Sequence, residues 1–214
     1  IKKGIEFILL CIQSEKGTGK TTSLIKYIFE DNKQNIPKSV LFISSRRTFG
    51  IKLLSELKKY GFKLYSEIEE KYISVKKIII QIDSLLRVTI DDYDLVIIDE
   101  CESLARYITS THFMKNTNSN LIVNDLEYKL QKAKNVIIMD ADLSDRCINF
   151  YKKIMEIDDN EIYILKNIKN TYNSYKIKYT VFPNWVCLIL DFLKKNKKLV
   201  IPMASNNKAK DLQK

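Results

Sequence analysis

Residues 14–22 read SEKGTGKTT, and the interpretation of the whole chain starts from this stretch. An apolar run at residues 8–12 precedes it, and apolar side chains recur at helical spacing over residues 24–28. The pattern predicts a buried strand, a glycine-bearing loop and a helix that begins at Lys20. That succession of elements is the context in which a phosphate-binding loop works.

Glycine, lysine and hydroxyl residues give this loop the chemistry of a phosphate site. Gly17 and Gly19, two of only five glycines in the chain, let the backbone curl so that successive N–H groups point at phosphate oxygens. Lys20 is expected to reach the β- and γ-phosphates of ATP, and the Thr21 hydroxyl is expected to ligate Mg²⁺. Ser14 stands where the strict motif has its first glycine, and the alternative is an ordinary turn before a lysine-bearing helix. The predicted ATP-binding residues are Ser14, Gly17, Thr18, Gly19, Lys20, Thr21 and Thr22.

Composition limits the classes of protein to which this chain can belong. The 36 Lys and Arg residues exceed the 26 Asp and Glu residues and give a formal net charge of +10, which suits a nucleic-acid partner. Scattered lysines on a solvated surface explain the charge equally well. Four isolated cysteines and a single histidine, His112, lack zinc-binding spacing and favour a reducing compartment. No apolar run reaches about 18 residues and no signal peptide is recognised, so no membrane association is predicted.

Short apolar runs rich in β-branched residues alternate with segments of helical periodicity. Such runs predict an α/β fold with a mostly parallel sheet covered on both faces. The predicted strands cover residues 8–12, 40–43, 76–81, 95–98 and 136–139. A polar stretch over residues 107–120 is predicted to be irregular, and the alternating patterns at 161–165 and 176–182 predict a pair of antiparallel strands.

Apolar periodicity lapses at residues 167–175. We therefore predict one domain over residues 1–166, with a linker and the start of another domain over residues 167–214. The chain begins with Ile1 rather than methionine, and we expect it to be a segment of a longer protein.

Polar residues follow the predicted strands where each strand ends. Because parallel strands end at one edge of a sheet, these residues are expected to meet there. Asp99 can hold Mg²⁺ opposite Thr21, and Glu100 can orient or deprotonate the water that attacks the γ-phosphate. The alternative is a pair of exposed acids at the start of a helix, which its dipole favours.

Two further groups of residues are candidates for contact with a nucleic acid. Arg46 and Arg47 at a strand end can pair with phosphate oxygens, or they can simply lie on a solvated helix terminus. Gln81, Ser84 and Arg87 could contact the nucleic-acid backbone in the same way, but spacing alone leaves this undecided.

Five segments occur in an order that carries a resemblance: SEKGTGKTT, FISSRRTF, QIDSLLR, VIIDECESL and IMDADLSD. In this order they resemble motifs I, Ia, the segment that follows Ia, II and III of superfamily two helicases. The double arginine, the QIDSLLR string and the Asp-Ala-Asp of the last segment are similar to the origin-of-replication-binding helicases of herpesviruses and large DNA viruses. The resemblance covers about residues 5–155.

The resemblance implies an ATP-dependent, DNA-translocating enzyme with two RecA-like domains, of which residues 1–166 would be the first. By position, Lys20 and Thr21 bind phosphate and Mg²⁺, Asp99 binds Mg²⁺ and Glu100 activates water. The residues implied to touch the DNA backbone are Arg46, Arg47 and Ser84, and those implied to couple hydrolysis to domain movement are Asp140, Ala141 and Asp142. Such a protein would act on single-stranded or origin DNA, inside the cell, in a nucleus or at a cytoplasmic replication site.

Two departures from that family pattern leave alternatives open. The coupling motif is often Ser/Thr-Ala-Thr, whereas here Asp140 and Asp142 flank the alanine, and Asp142 and Ser144 could equally be helix caps. The later helicase motifs, including the arginines that complete the ATP site, are absent, so hydrolysis by this segment is expected to be weak. The other readings are a non-enzymatic DNA- or partner-binding fragment of a helicase, or a different phosphate-loop ATPase.

Overall fold

The computed structural model describes residues 8–44 and 47–168, together with residues 187, 190, 191, 194 and 195. The chain divides into two compact units, Ile1–Thr171 and Tyr172–Lys214. The predicted strands at 176–182 and the predicted start of a second RecA-like domain lie outside the described residues. Among the described residues, no helix has both the length and the apolar character needed to cross a membrane.

Seven strands of the first unit form one sheet. In chain order they are β1 Leu9–Gln13, β2 Val40–Ser44, β3 Lys63–Leu64, β4 Lys77–Gln81, β5 Leu95–Asp99, β6 Asn135–Asp140 and β7 Ile162–Lys166. Their order across the sheet is β3-β4-β2-β5-β6-β1-β7. All neighbouring strands are parallel, so their carboxyl ends share one edge. The predicted α/β class is confirmed.

Helices connect the strands and cover both faces of the sheet. They are α1 Lys20–Lys26, α2 Arg47–Leu57, α3 Cys101–Ile108, α4 Thr111–Met114, α5 Ser119–Lys132 and α6 Asp145–Met155. A π-helical turn, Tyr27–Asp31, continues α1, and a 3₁₀ helix, Ile82–Arg87, follows β4.

The core explains why the central strands read as unbroken apolar runs. All five residues of β2 are buried. Leu41 and Ile43 face one apolar cluster, whereas Val40 and Phe42 face the cluster on the other side of the sheet. Burial of each such side chain stabilises the fold by about 1.5–3 kcal/mol. Both faces must therefore be apolar, as the sequence pattern indicated.

The prediction of an irregular loop over residues 107–120 is wrong, because α3 continues to Ile108 and α4 and the start of α5 occupy much of the remainder. The Ser110 hydroxyl caps α4 by accepting a hydrogen bond from the Phe113 N–H at 3.2 Å. Phe113 is buried and packs edge-on against Tyr107, with ring centroids 5.2 Å apart. One buried aromatic residue therefore fixes a helix that the polar composition concealed.

The strand predicted at residues 161–165 is present as β7, whereas its predicted antiparallel partner, residues 176–182, lies outside the described residues. β7 is parallel to β1, in the register Leu9↔Ile162 to Gln13↔Lys166. Hydrogen bonds extend the pairing beyond β7, since the Ile8 N–H donates to Glu161 O and the Asn167 N–H donates to Gln13 O. Among the described strands β7 lies at the edge of the sheet, and its side chains are mostly exposed, which accounts for its mixed pattern.

Gly61 ends the 3₁₀ turn that follows α2, with a φ of 85°. A Cβ at this position would meet no atom within 4 Å, so only the backbone conformation demands glycine. Gly61→Ala is expected to lower the free energy of unfolding by about 1 kcal/mol, and Gly61→Asn by less, because asparagine tolerates the left-handed region. Denaturant unfolding of the three proteins measures this; an alanine variant as stable as the parent would contradict the assignment.

Candidate nucleotide-binding site

The loop between β1 and α1 has the backbone conformation that its glycines suggested. Gly17 and Gly19 have φ values of 78° and 77°, and Gly19 is the N-cap of α1. Neither position is crowded, so the left-handed backbone is what requires glycine. The loop leads directly into the first turn of α1, whose N–H groups have no partner within the helix and can face an anion.

A side-chain hydrogen bond joins this loop region to the end of β5. The Thr21 hydroxyl, in the first turn of α1, donates to Asp99 Oδ2 at 2.7 Å. Asp99 is the last residue of β5 and is only 3% exposed. Its other oxygen, Oδ1, accepts the Glu100 N–H at 2.9 Å. The structure therefore brings together the two residues predicted to share one magnesium ion.

The electrostatic state of Asp99 suits a cation site. Burial raises the pKa of Asp99 above its ordinary value, although the Thr21 hydroxyl, the positive charge of Lys20 and the Glu100 N–H act in the opposite direction. A cation placed here would favour the carboxylate form and relieve the cost of burying it. Among the described residues there is no ready-made cage of three or more carboxylate, histidine or cysteine side chains. One carboxylate and one hydroxyl fit Mg²⁺, which usually binds few protein ligands together with phosphates and water.

Glu100 lies in a conformation unusual for glutamate. Its φ and ψ are 55° and 46°, and it is the N-cap of α3. Only one other described residue that is not glycine, Glu156 at the end of α6, has a positive φ. Left-handed backbone at such residues costs of order 1–3 kcal/mol and is concentrated at functional sites.

Asp140 is hydrogen-bonded to residues in three of the five segments that carry the resemblance. Its Oδ2 accepts the Glu102 N–H of α3 at 3.0 Å, and its Oδ1 accepts the Asp142 N–H at 3.1 Å. Its carbonyl oxygen accepts the Ser14 N–H of the phosphate loop at 3.1 Å. Ala141 is half-buried and Asp142 is exposed. The predicted coupling segment is thus held by the backbone of both the loop and α3.

Glu102 received no role in the sequence interpretation, yet it is a buried link between α3 and α6. Its Oε1 accepts the Ser144 N–H at 2.8 Å and also the Ser144 hydroxyl. Arg106 and Arg146 lie within 4.0 Å of its Oε2. Burial raises the pKa of Glu102, but the bonds from Ser144 and the two guanidinium groups outweigh it and hold the pKa below its ordinary value.

Ser144 also settles which residue caps α6. Its Oγ accepts the Cys147 N–H at 3.2 Å, whereas α6 takes no cap from Asp142. The capping interpretation therefore holds for Ser144 and not for Asp142. No periodicity could have shown the Glu102–Ser144 contact, because the two residues are far apart in sequence and lie on different helices.

Two of the candidate nucleic-acid contacts, Arg87 and Gln81, have hydrogen-bond partners within the protein. The Arg87 guanidinium donates to the carbonyl oxygens of Tyr65, Ile68, Glu70 and Lys71, and its contact with a nucleic acid stays a prediction. A single cation that satisfies four carbonyl groups holds the segment between β3 and β4 in place. Gln81 also faces inward, where its Oε1 accepts the Tyr65 hydroxyl at 2.6 Å.

The other predicted contacts, to a nucleic acid and to ATP, also stay predictions. Ser84 is half-buried on the 3₁₀ helix after β4. Arg46 and the side chain of Arg47 lie outside the described residues. Thr22, predicted as part of the ATP site, points its hydroxyl at Glu56 Oε2 of α2, 3.3 Å away.

Comparisons with a family profile and with single sequences point to the same family. The sequence profile of the family described as "Origin of replication binding protein" matches residues 7–213. The chain is 32% identical over 161 residues to the replication origin-binding protein of human herpesvirus 6B, covering 73% of this chain and 19% of that protein. It is 33% identical over 193 residues to R8 of Acanthamoeba polyphaga mimivirus, an uncharacterised helicase candidate, covering 85% of this chain and 18% of that protein. The chain thus spans about a fifth of the length of these relatives.

Comparison with solved structures agrees on the fold. A structure of Saccharomyces cerevisiae Dbp5 L327V bound to RNA and ADP BeF3 aligns with a TM-score of 0.50 at 14% identity, covering 77% of this chain and 43% of that chain. A structure of the same yeast protein bound to Gle1 H337R and IP6 aligns with a TM-score of 0.51 at 13% identity, covering 78% of this chain and 43% of that chain. The sheet and helices have the RecA-like fold, so the predicted fold class is confirmed.

The two left-handed glutamates offer a matched test of strain. Glu100→Gly and Glu156→Gly are each expected to raise the free energy of unfolding by about 0.5–1 kcal/mol, because glycine relieves the left-handed backbone. Denaturant unfolding at pH 7 measures both changes. If Glu100→Gly destabilises the protein while Glu156→Gly stabilises it, the Glu100 side chain holds the fold together and is not a strained functional group.

Proposed function

The chain belongs to the family of origin-of-replication-binding proteins, and we propose that it is the ATP-binding motor domain of a replication origin-binding DNA helicase. One observation carries the proposal: the 2.7 Å hydrogen bond from Thr21 to Asp99. It joins a glycine loop to a buried carboxylate at the edge where parallel strands end, which is where ligands of open α/β sheets bind.

In this proposal each residue of the site has one task. The backbone N–H groups of residues 17–21 and the Lys20 ammonium group bind the phosphates of ATP. Thr21 and Asp99 hold Mg²⁺, which supplies positive charge to the phosphate oxygens. Glu100, at the start of α3, orients the attacking water and accepts its proton. Its left-handed backbone agrees with a functional requirement, because such conformations are concentrated at functional sites.

The coupling of hydrolysis to movement is proposed to pass through Asp140. A shift of the phosphate loop changes the position of Ser14, whose N–H is bonded to the Asp140 carbonyl group. The Asp140 carboxylate holds the Glu102 N–H, so the same shift reaches α3. Ala141 and Asp142 follow directly in the chain, and the exposure of Asp142 agrees with a proposed contact to another domain.

DNA is proposed to lie across the same edge of the sheet. Arg46, Arg47 and Ser84 follow β2 and β4, where they would contact the sugar–phosphate backbone without reading bases. The net charge of +10 supports an anionic partner. The aligned Dbp5 structure is bound to RNA and ADP BeF3, which supports a nucleic acid and a nucleotide together on this fold.

Nucleotide binding by this chain is the first test. The chain is expected to bind a fluorescent ATP analogue in the presence of Mg²⁺, and Lys20→Ala is expected to weaken binding by ~10- to 100-fold, since a charge-assisted contact to phosphate is lost. Lys26→Ala is the matched control, because Lys26 is exposed on the same helix at its far end and should leave affinity unchanged. Binding that does not depend on Lys20 would favour a non-enzymatic, partner-binding role.

Hydrolysis is the second test. ATP turnover by this chain alone is expected to be slow, because a partner-domain arginine contributes ~10³–10⁵ in rate in comparable phosphoryl-transfer enzymes. In a longer protein that includes the second domain, single-stranded DNA is expected to stimulate turnover. Glu100→Gln should retain nucleotide binding and abolish the stimulated rate. Equal turnover with and without DNA would contradict the motor function, and an active Glu100→Gln protein would remove Glu100 as the base.

A further inference from the structure

The residue that replaces the first glycine of the phosphate loop has a partner far away in the sequence. Ser14 is 4% exposed, and its Oγ lies 2.6 Å from Thr18 Oγ1. The same Oγ accepts a hydrogen bond from Asn167 Nδ2 at 3.1 Å. The base of the loop is therefore joined both to its own tip and to the residue that follows β7.

The hydrogen bonds can run in only one direction. The Thr18 hydroxyl donates to the Glu15 carbonyl oxygen at 2.8 Å, and a hydroxyl has one proton to give. Thr18 must then accept from Ser14, so the Ser14 proton is used and Ser14 must accept from the Asn167 amide. The order Asn167, Ser14, Thr18 and Glu15 carbonyl forms a hydroxyl relay in which the proton of each hydroxyl group has an acceptor.

Asn167 is itself held firmly where it enters this relay. Its backbone N–H donates to Gln13 O at 2.8 Å and continues the β1–β7 pairing one residue past the end of β7. A glycine at position 14 would remove the acceptor that the Ser14 hydroxyl offers to the Asn167 amide. From Asn167 the chain runs on through Thr171 to the Tyr172–Lys214 unit.

We propose that Asn167 is a positioning residue of the nucleotide site, which fixes the phosphate loop through Ser14 and Thr18. The inference rests on the proposed function, because it concerns the same loop. The relay encloses Gly17, whose neighbouring N–H groups would meet phosphate. Loss of the relay would therefore free the segment that must be ordered when a nucleotide binds. Coupling is reciprocal, so a bound nucleotide also stabilises the position of Asn167 at the start of the chain that leads to the second unit.

Nucleotide affinity in a double-mutant cycle tests the relay. Asn167→Ala and Ser14→Ala are each expected to weaken Mg·ATP-analogue binding by ~3- to 10-fold, the value of one hydrogen bond, and the double variant is expected to be no weaker than Ser14→Ala alone. Asn160→Ala is the matched control, since Asn160 is exposed just before the same strand, at its opposite end. In the longer protein, Asn167→Ala should leave turnover at saturating ATP unchanged, because Asn167 acts on loop order and not on the reacting atoms.

The outcomes separate this inference from the proposed function. If Lys20→Ala loses nucleotide binding while Asn167→Ala keeps the parent affinity, the relay is overturned and the nucleotide site stands. If the Asn167→Ala effect persists in the Ser14→Ala background, Asn167 acts elsewhere and the inference fails. If Lys20→Ala has no effect, the proposed function fails first. Should Asn167→Ala lower the unfolding midpoint, Thr18→Val, which removes the next hydroxyl of the relay at similar shape, must show the same affinity loss.

Discussion

The order β5-β6-β1 at the centre of the sheet is the constraint on which the site depends. Since the strands are parallel and in register, with Cys11 opposite Ile138 and Ile98 opposite Ile138, their last residues emerge side by side. That juxtaposition places the Asp99 carboxylate beside the start of α1, and the Asp140 carbonyl group beside Ser14. The apolar clusters on both faces hold the three strands in this order, so the core sets the position of the polar edge before its own hydrogen bonds add to it.

Buried carboxylates at such an edge must be satisfied by hydrogen bonds, because an unpaired buried charge is strongly destabilising. Asp140 accepts two backbone N–H groups, and Glu102 accepts from the backbone and the hydroxyl of Ser144. The Asp140 carboxylate therefore has a structural task and does not mark a degenerate segment. Together the two carboxylates connect the end of β6, the start of α3 and the start of α6, and each does so with two acceptor oxygens, where a hydroxyl group has one.

The local features of the sequence were sufficient to predict the main strands and the glycine-bearing loop. The apolar runs predicted the central strands, and the two glycines predicted the loop with its left-handed residues. Features that depend on distant partners were not predictable. The bonds of Arg87 could not be predicted, because nothing in its local sequence indicates that four carbonyl groups of residues 65–71 surround it. The pairing of β7 with β1 was not predicted either, because the exposed side chains of β7 lack the buried pattern of the central strands. Asn167 was placed in a linker because its partner Ser14 lies 153 residues earlier.

The backbone at Glu100 explains how two adjacent acids can serve one site. Had β5 continued, Asp99 and Glu100 would point to opposite faces of the sheet, where one of them would enter an apolar cluster. The left-handed residue ends the strand and starts α3 at once, and the Asp99 carboxylate helps to hold that turn by accepting the Glu100 N–H. Glu156 has nearly the same dihedral angles for a different reason, since it ends α6 with bonds to the last carbonyl groups of that helix. A left-handed residue after a helix needs no functional explanation, whereas one between a buried strand and a helix, next to a buried carboxylate bonded to Thr21, agrees with the proposed nucleotide site.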